Sequence, residues 1–178
     1  MKKSLYIFCF LTLAGAMTFA DTNTATHGVT ITMQDIALVA LNNTTALTVS
    51  IAPTSAGSAP TVGTITNNDK YLRYTSVTSS TTRRITVQLN AGDVLPAGIS
   101  IHLQADAPTG GLGILGTGTS DVSIGVGAQS LITGIRSGWT GIGATSGSKL
   151  TYNLGVDPAT LGETDTTTVT VKFTIADS

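Results

Sequence analysis

Cysteine, aromatic residues and charge are all scarce in this chain of 178 residues. Its single cysteine, Cys9, lies near the start, so the chain after it can form neither an internal disulfide nor a thiolate metal site. Charged residues make up 11% of the sequence and aromatic residues 5%. Disorder accompanies low hydrophobicity, whereas 41% of this sequence is apolar. We therefore expect a folded protein that is stabilised by burial and hydrogen bonding.

The first residues have the layout of a secretory signal. Lys2 and Lys3 precede an apolar run over 5–13, and small residues follow up to Ala20. The run is too short to span a bilayer, which needs about 20 residues. We predict a cleaved signal peptide over 1–20 and an exported protein in the bacterial periplasm, at the cell surface or outside the cell. A buried or amphipathic N-terminal helix is the alternative.

Cleavage would leave 178 − 20 = 158 residues and remove two lysines, so that 7 basic residues face 10 acidic ones and the net charge is near −3. Nucleic acids and anionic membranes select basic surfaces, so neither is expected as a partner. The mature chain has no apolar run long enough for a transmembrane segment. We predict a flexible lead-in over 21–28 and a single domain over 29–178.

Threonine and glycine are abundant in the sequence, with 33 threonines and 20 glycines. Threonine suits a half-exposed strand surface, and glycine suits the turns between strands. Apolar residues also recur at every second position, which predicts strands with one buried face. The alternating segments lie at 47–51, 71–77, 85–89, 99–103, 122–126, 150–154 and 169–175.

These segments predict an all-β protein, an immunoglobulin-like or Greek-key β-sandwich of about eight to ten short strands. A closed barrel is the second architecture that the pattern allows. Segments 85–89 and 99–103 are separated by one short turn-rich stretch, so we predict that they pair. Stretches 54–63 and 109–119, rich in small residues and glycine, are predicted to be loops.

The start of the mature chain has two contrasting patterns. Val29, Ile31 and Met33 alternate with threonines, as in a strand with one apolar face. Residues 36–41 are then apolar at every position, which predicts a strand buried on both sides. The change of phase between them indicates a bulge or a break between two strands. A short helix over 35–41 is the alternative.

Two short motifs resemble parts of enzyme sites without the structure those sites need. Gly111, Gly113 and Gly116 have the spacing of a dinucleotide-binding loop, but no helix follows to hold a pyrophosphate. Ser146 and Lys149 have the spacing of an acyl-enzyme motif, but the neighbouring glycines predict a turn in place of the required helix. The sequence therefore predicts no enzyme, no catalytic residue and no cofactor.

Metal ligands are equally sparse. His27 and His102 are the only histidines, the acidic residues are scattered, and no calcium-loop pattern occurs. We predict no metal site. The alternation around His102 predicts that its side chain lies on the face opposite Ile101 and Leu103 and is solvated.

The only tryptophan, Trp139, is flanked by glycines. Its large side chain is predicted to cap one end of the core, since aromatic residues are scarce and bury much area. The alternative is an exposed platform for a ligand such as a sugar ring.

Four features occur together in this chain: the predicted signal peptide, the threonine-rich strands, the alternating segment 28–33 and the terminal alternating segment 168–175. With these features the chain resembles bacterial exported β-sandwich proteins of the fimbrial-subunit kind. That resemblance implies a structural or adhesive surface protein. It implies a pilus subunit that polymerises with itself or with related subunits by strand exchange. It also implies a periplasmic chaperone as a further partner. It also implies that 21–33, with Val29, Ile31 and Met33, is the donor strand and that 169–175 lines the acceptor groove. The alternative is an extracellular module that binds a carbohydrate or another small ligand around Trp139.

Overall fold

The structure is a computed structural model that describes residues 26–162 and 166–178. The predicted signal peptide over 1–20 and most of the lead-in over 21–28 lie outside the described residues. The chain divides into two compact units, Met1–Thr32 and Met33–Ser178. The described part of the first unit, residues 26–32, forms no strand. The second unit contains every strand described below.

The described residues are all-β and contain no helix, as the sequence predicts. Seven strands have six residues or more: β1 (Ile36–Leu41), β4 (Lys70–Val77), β5 (Arg83–Leu89), β6 (Ile99–Ala105), β10 (Gln129–Ile135), β12 (Ser148–Val156) and β13 (Val171–Asp177). Six have only two residues: β2 (Ile51–Ala52), β3 (Thr61–Val62), β7 (Leu112–Gly113), β8 (Thr117–Gly118), β9 (Val122–Ser123) and β11 (Gly138–Trp139). No helix forms over 35–41, where β1 lies instead.

Two antiparallel sheets form a sandwich. The larger sheet has the order β7-β11-β4-β12-β6-β9, with β1 also paired to β4, and the smaller has the order β13-β5-β10-β8. A separate ribbon joins β2 to β3. Because β5 and β6 lie in different sheets, the predicted pairing of 85–89 with 99–103 is wrong. The connection between them crosses from one sheet to the other, so β5 pairs with β13 and β10 while β6 pairs with β12 and β9.

The core lies between the sheets and takes side chains from both. The larger sheet contributes alternate residues of β4, β6 and β12, and the smaller sheet contributes β5 and β10. The fully buried apolar side chains are Leu72, Ile85, Val87, Leu103, Leu131, Ile132, Ile135 and Leu150. Period-two alternation therefore places one face of each long inner strand in a single apolar layer.

The segment 36–41 is a strand, but the prediction that it is buried on both sides is wrong. Among the strands that the structure describes, β1 pairs only with β4, so it forms an edge of its sheet. Leu38 is largely exposed, whereas Val39 and Leu41 are half-buried against the core. A continuous run of apolar residues does not show whether another part of the protein covers both faces of the strand.

Several predicted strands are shorter than the alternation suggested. Of 122–126, only Val122–Ser123 forms a strand, and Val126 is exposed. Of 47–51, the strand begins only at Ile51. The loops predicted at 54–63 and 109–119 contain the short strands β3, β7 and β8.

Two buried tyrosines make the fold sensitive to alkali. Burial raises the pKa of the Tyr152 hydroxyl to about 12 and also raises the pKa of Tyr74 above its ordinary value. In the unfolded chain both ionise near pH 10. The folded state therefore holds these protons more tightly, and the stability that is complete below pH 10 falls as pH rises toward 12.

We expect the free energy of unfolding to fall by about 1.4 kcal/mol per pH unit for each of these tyrosines above pH 10. Urea unfolding at a series of pH values measures this slope. In Tyr152→Phe the slope between pH 10 and 12 should be shallower than in the wild type. An identical slope in both proteins would contradict the assignment of Tyr152.

Candidate functional site

The residues predicted to form a donor strand, Val29, Ile31 and Met33, lie before the first strand and belong to none. Their side chains are 71%, 80% and 78% exposed. The prediction that 29–33 is a strand is therefore wrong for the single chain. A run that alternates apolar and threonine side chains is left exposed and without strand partners, although its pattern is that of a strand with one buried face.

At one margin of the sandwich, β13 is the end strand of the smaller sheet. Within the described residues it pairs only with β5, over the full length from Val171 to Asp177. Its second edge carries backbone N–H and C=O groups that no described strand pairs. The predicted alternation is confirmed here, since Val171, Phe173 and Ile175 pack on the core and Lys172 and Thr174 are exposed. The three inward side chains are only half-buried, so this margin of the core is incompletely covered.

The edge strand of the other sheet, β1, lies at the same margin, with Cα atoms of β1 and β13 within 8 Å of each other. Within the described residues, β1 also has an unpaired second edge, and it has half-buried apolar side chains. We name this region, formed by β1 and β13, the open margin. Unpaired edges of this kind are the places where natural β-proteins accept a further strand.

Arg83 ties together the strands of the open margin at one end. Its buried guanidinium donates hydrogen bonds to Asp35, just before β1, and to Asp177 at the end of β13, the latter with Nε–Oδ1 at 3.1 Å. It also donates to the carbonyl of Ile36, to the carbonyl of Val77 at 3.3 Å and to the Ser76 hydroxyl at 3.2 Å.

These contacts change the pKa of the Arg83 guanidinium. Burial alone would lower the pKa of the Arg83 guanidinium, but hydrogen bonds and charge attraction from Asp35 and Asp177 raise it overall. The two carboxylates are 68% and 60% exposed, so water screens much of their attraction. The arginine therefore acts as a charged anchor with five acceptors. No local sequence pattern indicates that these distant residues meet.

Trp139 does not cap the core. It lies on β11, directly opposite Thr75 on one side and Leu112 on the other, and 50% of it is exposed. The neighbouring Thr140 occupies the buried position instead, where its Oγ1 accepts a hydrogen bond from the Tyr74 N–H at 3.1 Å. Trp139 is thus free to contact a ligand or another protein, as the alternative interpretation requires.

No protein-family model matches this chain, and no curated protein or solved structure matches it either.

The dinucleotide-like glycine motif has a structural explanation. Gly111, Gly113 and Gly116 all adopt positive φ angles, of 66°, 98° and 80°. A Cβ atom at Gly111 would overlap the carbonyl oxygen of Trp139, because the chain passes directly against β11 there. These glycines permit close approach of two backbones.

Replacing Gly111 by alanine is expected to lower the free energy of unfolding by about 2 to 3 kcal/mol, because the new methyl group meets backbone and the φ angle is unfavourable for alanine. Urea denaturation measures the loss. Gly125→Ala is the matched control, since nothing lies within 4 Å of its Cβ position and its φ is not positive. Equal stability of the two variants would contradict this explanation.

The remaining polar candidates lie apart from one another. Ser146 lies just after the turn that precedes β12, and Lys149 lies on β12 itself, with no helix between them. His102 lies on β6 beside buried Leu103, partly exposed, with its Nδ1 3.1 Å from an Asp121 carboxylate oxygen. Across the described ranges, no three His, Cys, Asp or Glu side chains come together in a way that could hold a metal ion. No helix in that part of the chain has the length and hydrophobicity to cross a bilayer.

Proposed function

We propose that this chain is a non-enzymatic, exported bacterial surface protein, a structural subunit that polymerises by strand exchange. The observation that carries the proposal is the coexistence of an unpaired β13 edge with an exposed alternating segment, 29–33, on the same chain. The segment of one copy would add to β13 of the next copy as a further strand.

Strand order supports an incomplete immunoglobulin-like sandwich. In the constant-type fold the sheets have the orders A-B-E-D and C-F-G. Giving the letters A to F, in chain order, to the long strands β1, β4, β5, β6, β12 and β13 reproduces A-B-E-D and C-F. β10 is then an additional strand beside C. The position of strand G, next to F, coincides with the free edge of β13.

The chemistry of the two partners is complementary. The half-buried side chains of β13 at the open margin are apolar, and the exposed face of the segment offers Val29, Ile31 and Met33. Full burial of an aliphatic side chain contributes roughly 1.5 to 3 kcal/mol, so three of them supply several kcal/mol before ordering costs. The backbone hydrogen bonds of a new strand pair add to this.

A subunit with an open margin needs protection before assembly. Exposed strand edges with apolar surface promote aggregation unless they are covered. We therefore include a periplasmic chaperone in the proposal, as a partner that would occupy the open margin until another subunit replaces it.

Immunoelectron microscopy of the producing cells, with an antibody against the mature chain, tests this function. We expect gold label along filaments or on a surface layer, and loss of those structures when the gene is deleted. Label confined to the cytosol, or a diffuse secreted monomer with no assembled material, would overturn the proposal.

A further inference from the structure

A cleft lies at the turns that join β4 to β5 and β10 to β11. Its volume is about 230 Å³. That size is below the range of about 300–1,000 Å³ that is typical of drug-sized ligand sites, and it suits the terminal unit of a larger ligand. The lining residues are Thr78, Ser79, Ser80, Thr81, Ile114, Arg136 and Ser137.

The walls of the cleft are held by hydrogen bonds. The Thr78 N–H donates to Ser137 Oγ at 3.0 Å, and Ser137 Oγ donates to the Thr78 carbonyl at 2.9 Å. The hydroxyls of Thr78 and Thr81 are 2.8 Å apart. These contacts fix the two turns against each other, so the cleft is formed before any ligand arrives.

Three polar side chains of the cleft take no part in the hydrogen bonds that hold its walls. Among the described residues, the hydroxyls of Ser79 and Ser80 and the guanidinium of Arg136 make no hydrogen bond or ion pair, and all three residues are exposed. Their donors are therefore available to a ligand. A planar guanidinium is suited to bidentate binding of a carboxylate.

The surroundings leave the charge of Arg136 uncompensated. The segments that contain the lining residues, 70–92, 107–120 and 122–156, include no aspartate or glutamate. The carboxylates that adjoin the β4–β5 turn, Asp35 and Asp177, are both bonded to Arg83. The cleft is thus electrostatically complementary to an anion.

Exposed apolar residues lie next to the cleft in the sequence. Ile114 lines the cleft, and the exposed Leu112 and Trp139, each two residues from a lining residue, pair directly with each other. Sites that combine aromatic and aliphatic surface with a few polar groups are typical of small-ligand recognition. This combination suits a sugar, which has an apolar ring face and hydroxyl groups at its rim.

We propose that this cleft binds the terminal acidic sugar of a glycan. Arg136 binds the sugar carboxylate, Ser79 and Ser80 hydrogen-bond to ring hydroxyls, and Ile114 and Trp139 contact the apolar ring face. The site is independent of strand exchange, since none of these residues belongs to β1, β13 or the segment 29–33. In an assembled polymer it would repeat on every subunit, which would turn weak single contacts into avid binding.

Fluorescence titration tests the proposal directly, because Trp139 is the only tryptophan. The probes are 3′-sialyllactose and digalacturonic acid, with lactose as the neutral control. We expect a saturable change in Trp139 emission with at least one acidic probe and binding of lactose at least about tenfold weaker, as expected when a charge-assisted contact is missing.

Arg136→Gln should weaken binding of the acidic probe at least about tenfold without altering the urea-unfolding curve. Arg84→Gln is the matched control, since Arg84 is also exposed, lies on β5 and makes no side-chain bond within the described residues; its binding should equal that of the wild type. Any of three results would overturn the proposal: lactose that binds as tightly as the acidic probes, no saturable binding at millimolar probe concentration, or equal effects of the two arginine substitutions on binding.

Discussion

Replacing Ile31 by aspartate is expected to abolish the SDS-resistant multimers that strand exchange predicts for the mature chain, while leaving the folded body unchanged. Ile31 is exposed in the single chain, so a charge there costs the monomer almost nothing. In a donated strand the same side chain would enter the open margin, where an unpaired carboxylate would be desolvated at a cost of several kcal/mol. Unheated and heated samples compared by SDS electrophoresis measure the effect.

Thr30→Asp provides a matched control for Ile31→Asp. Thr30 is also exposed, but alternation places it on the opposite face of a donated strand, toward water. We expect its multimers to resemble those of the wild type. Two results would count against strand exchange through 29–33: equal loss of multimers in both variants, or multimers that survive in Ile31→Asp.

Deleting residues 21–33 extends the same argument. If the segment is donated between copies, the truncated chain should lose the multimers and still unfold cooperatively in urea. A truncated chain that fails to fold as a monomer would show that the segment completes its own domain.

Arg83→Met is expected to lower the free energy of unfolding by about 1–3 kcal/mol, the cost of leaving buried hydrogen-bond acceptors without a donor. The substitution leaves the Ser76 hydroxyl and the Ile36 and Val77 carbonyls without their donor, and it releases Asp35 and Asp177. Because Arg83 holds the start of β1 and the end of β13, the open margin should loosen as well.

Comparison with Arg84→Met separates this network from a general effect of losing an arginine. Arg84 neighbours Arg83 on β5 but points to solvent, so its substitution should change stability by less than about 0.5 kcal/mol. Asp177→Asn should cost at most about 1 kcal/mol, since that carboxylate is mostly exposed. Urea denaturation of the three variants measures these differences, and equal losses in Arg83→Met and Arg84→Met would exclude the anchor role.

The sequence predicted the strands in which three consecutive inward positions are apolar or aromatic. β5, β6, β12 and β13 each contain such a run, at 85–89, 99–103, 150–154 and 171–175. The alternation of β4 is less regular, since two of its four inward residues, Lys70 and Ser76, are polar. Its inward face is nevertheless the most completely buried of the larger sheet.

β10 was missed for a geometric reason. Its pairing with β5 shifts register between Ser130 and Ile132 and again between Ile132 and Ile135. These irregularities bury the adjacent residues Leu131 and Ile132 together, which destroys the period of two. Alternation cannot reveal a strand whose side chains do not alternate.

The candidate functional regions differ in the same way in how far the sequence could predict them. The segment with Val29, Ile31 and Met33 was recognisable because its pattern is local. The Arg83 network was not, because its carboxylate partners are 48 and 94 residues away in the chain. The exposure of Trp139 also depends on tertiary structure, since its short strand is positioned by β4 and β7.

Hydrogen–deuterium exchange at β13 tests strand donation most directly, with the assembled wild-type protein compared with the Ile31→Asp protein. Alternate amides of Val171–Asp177 face away from β5, and a donated strand would give them hydrogen-bond partners. We predict that these amides exchange at least about 100-fold more slowly in the assembly than in the variant. Equal exchange rates in the two proteins would contradict the claim that a neighbouring copy completes this sheet.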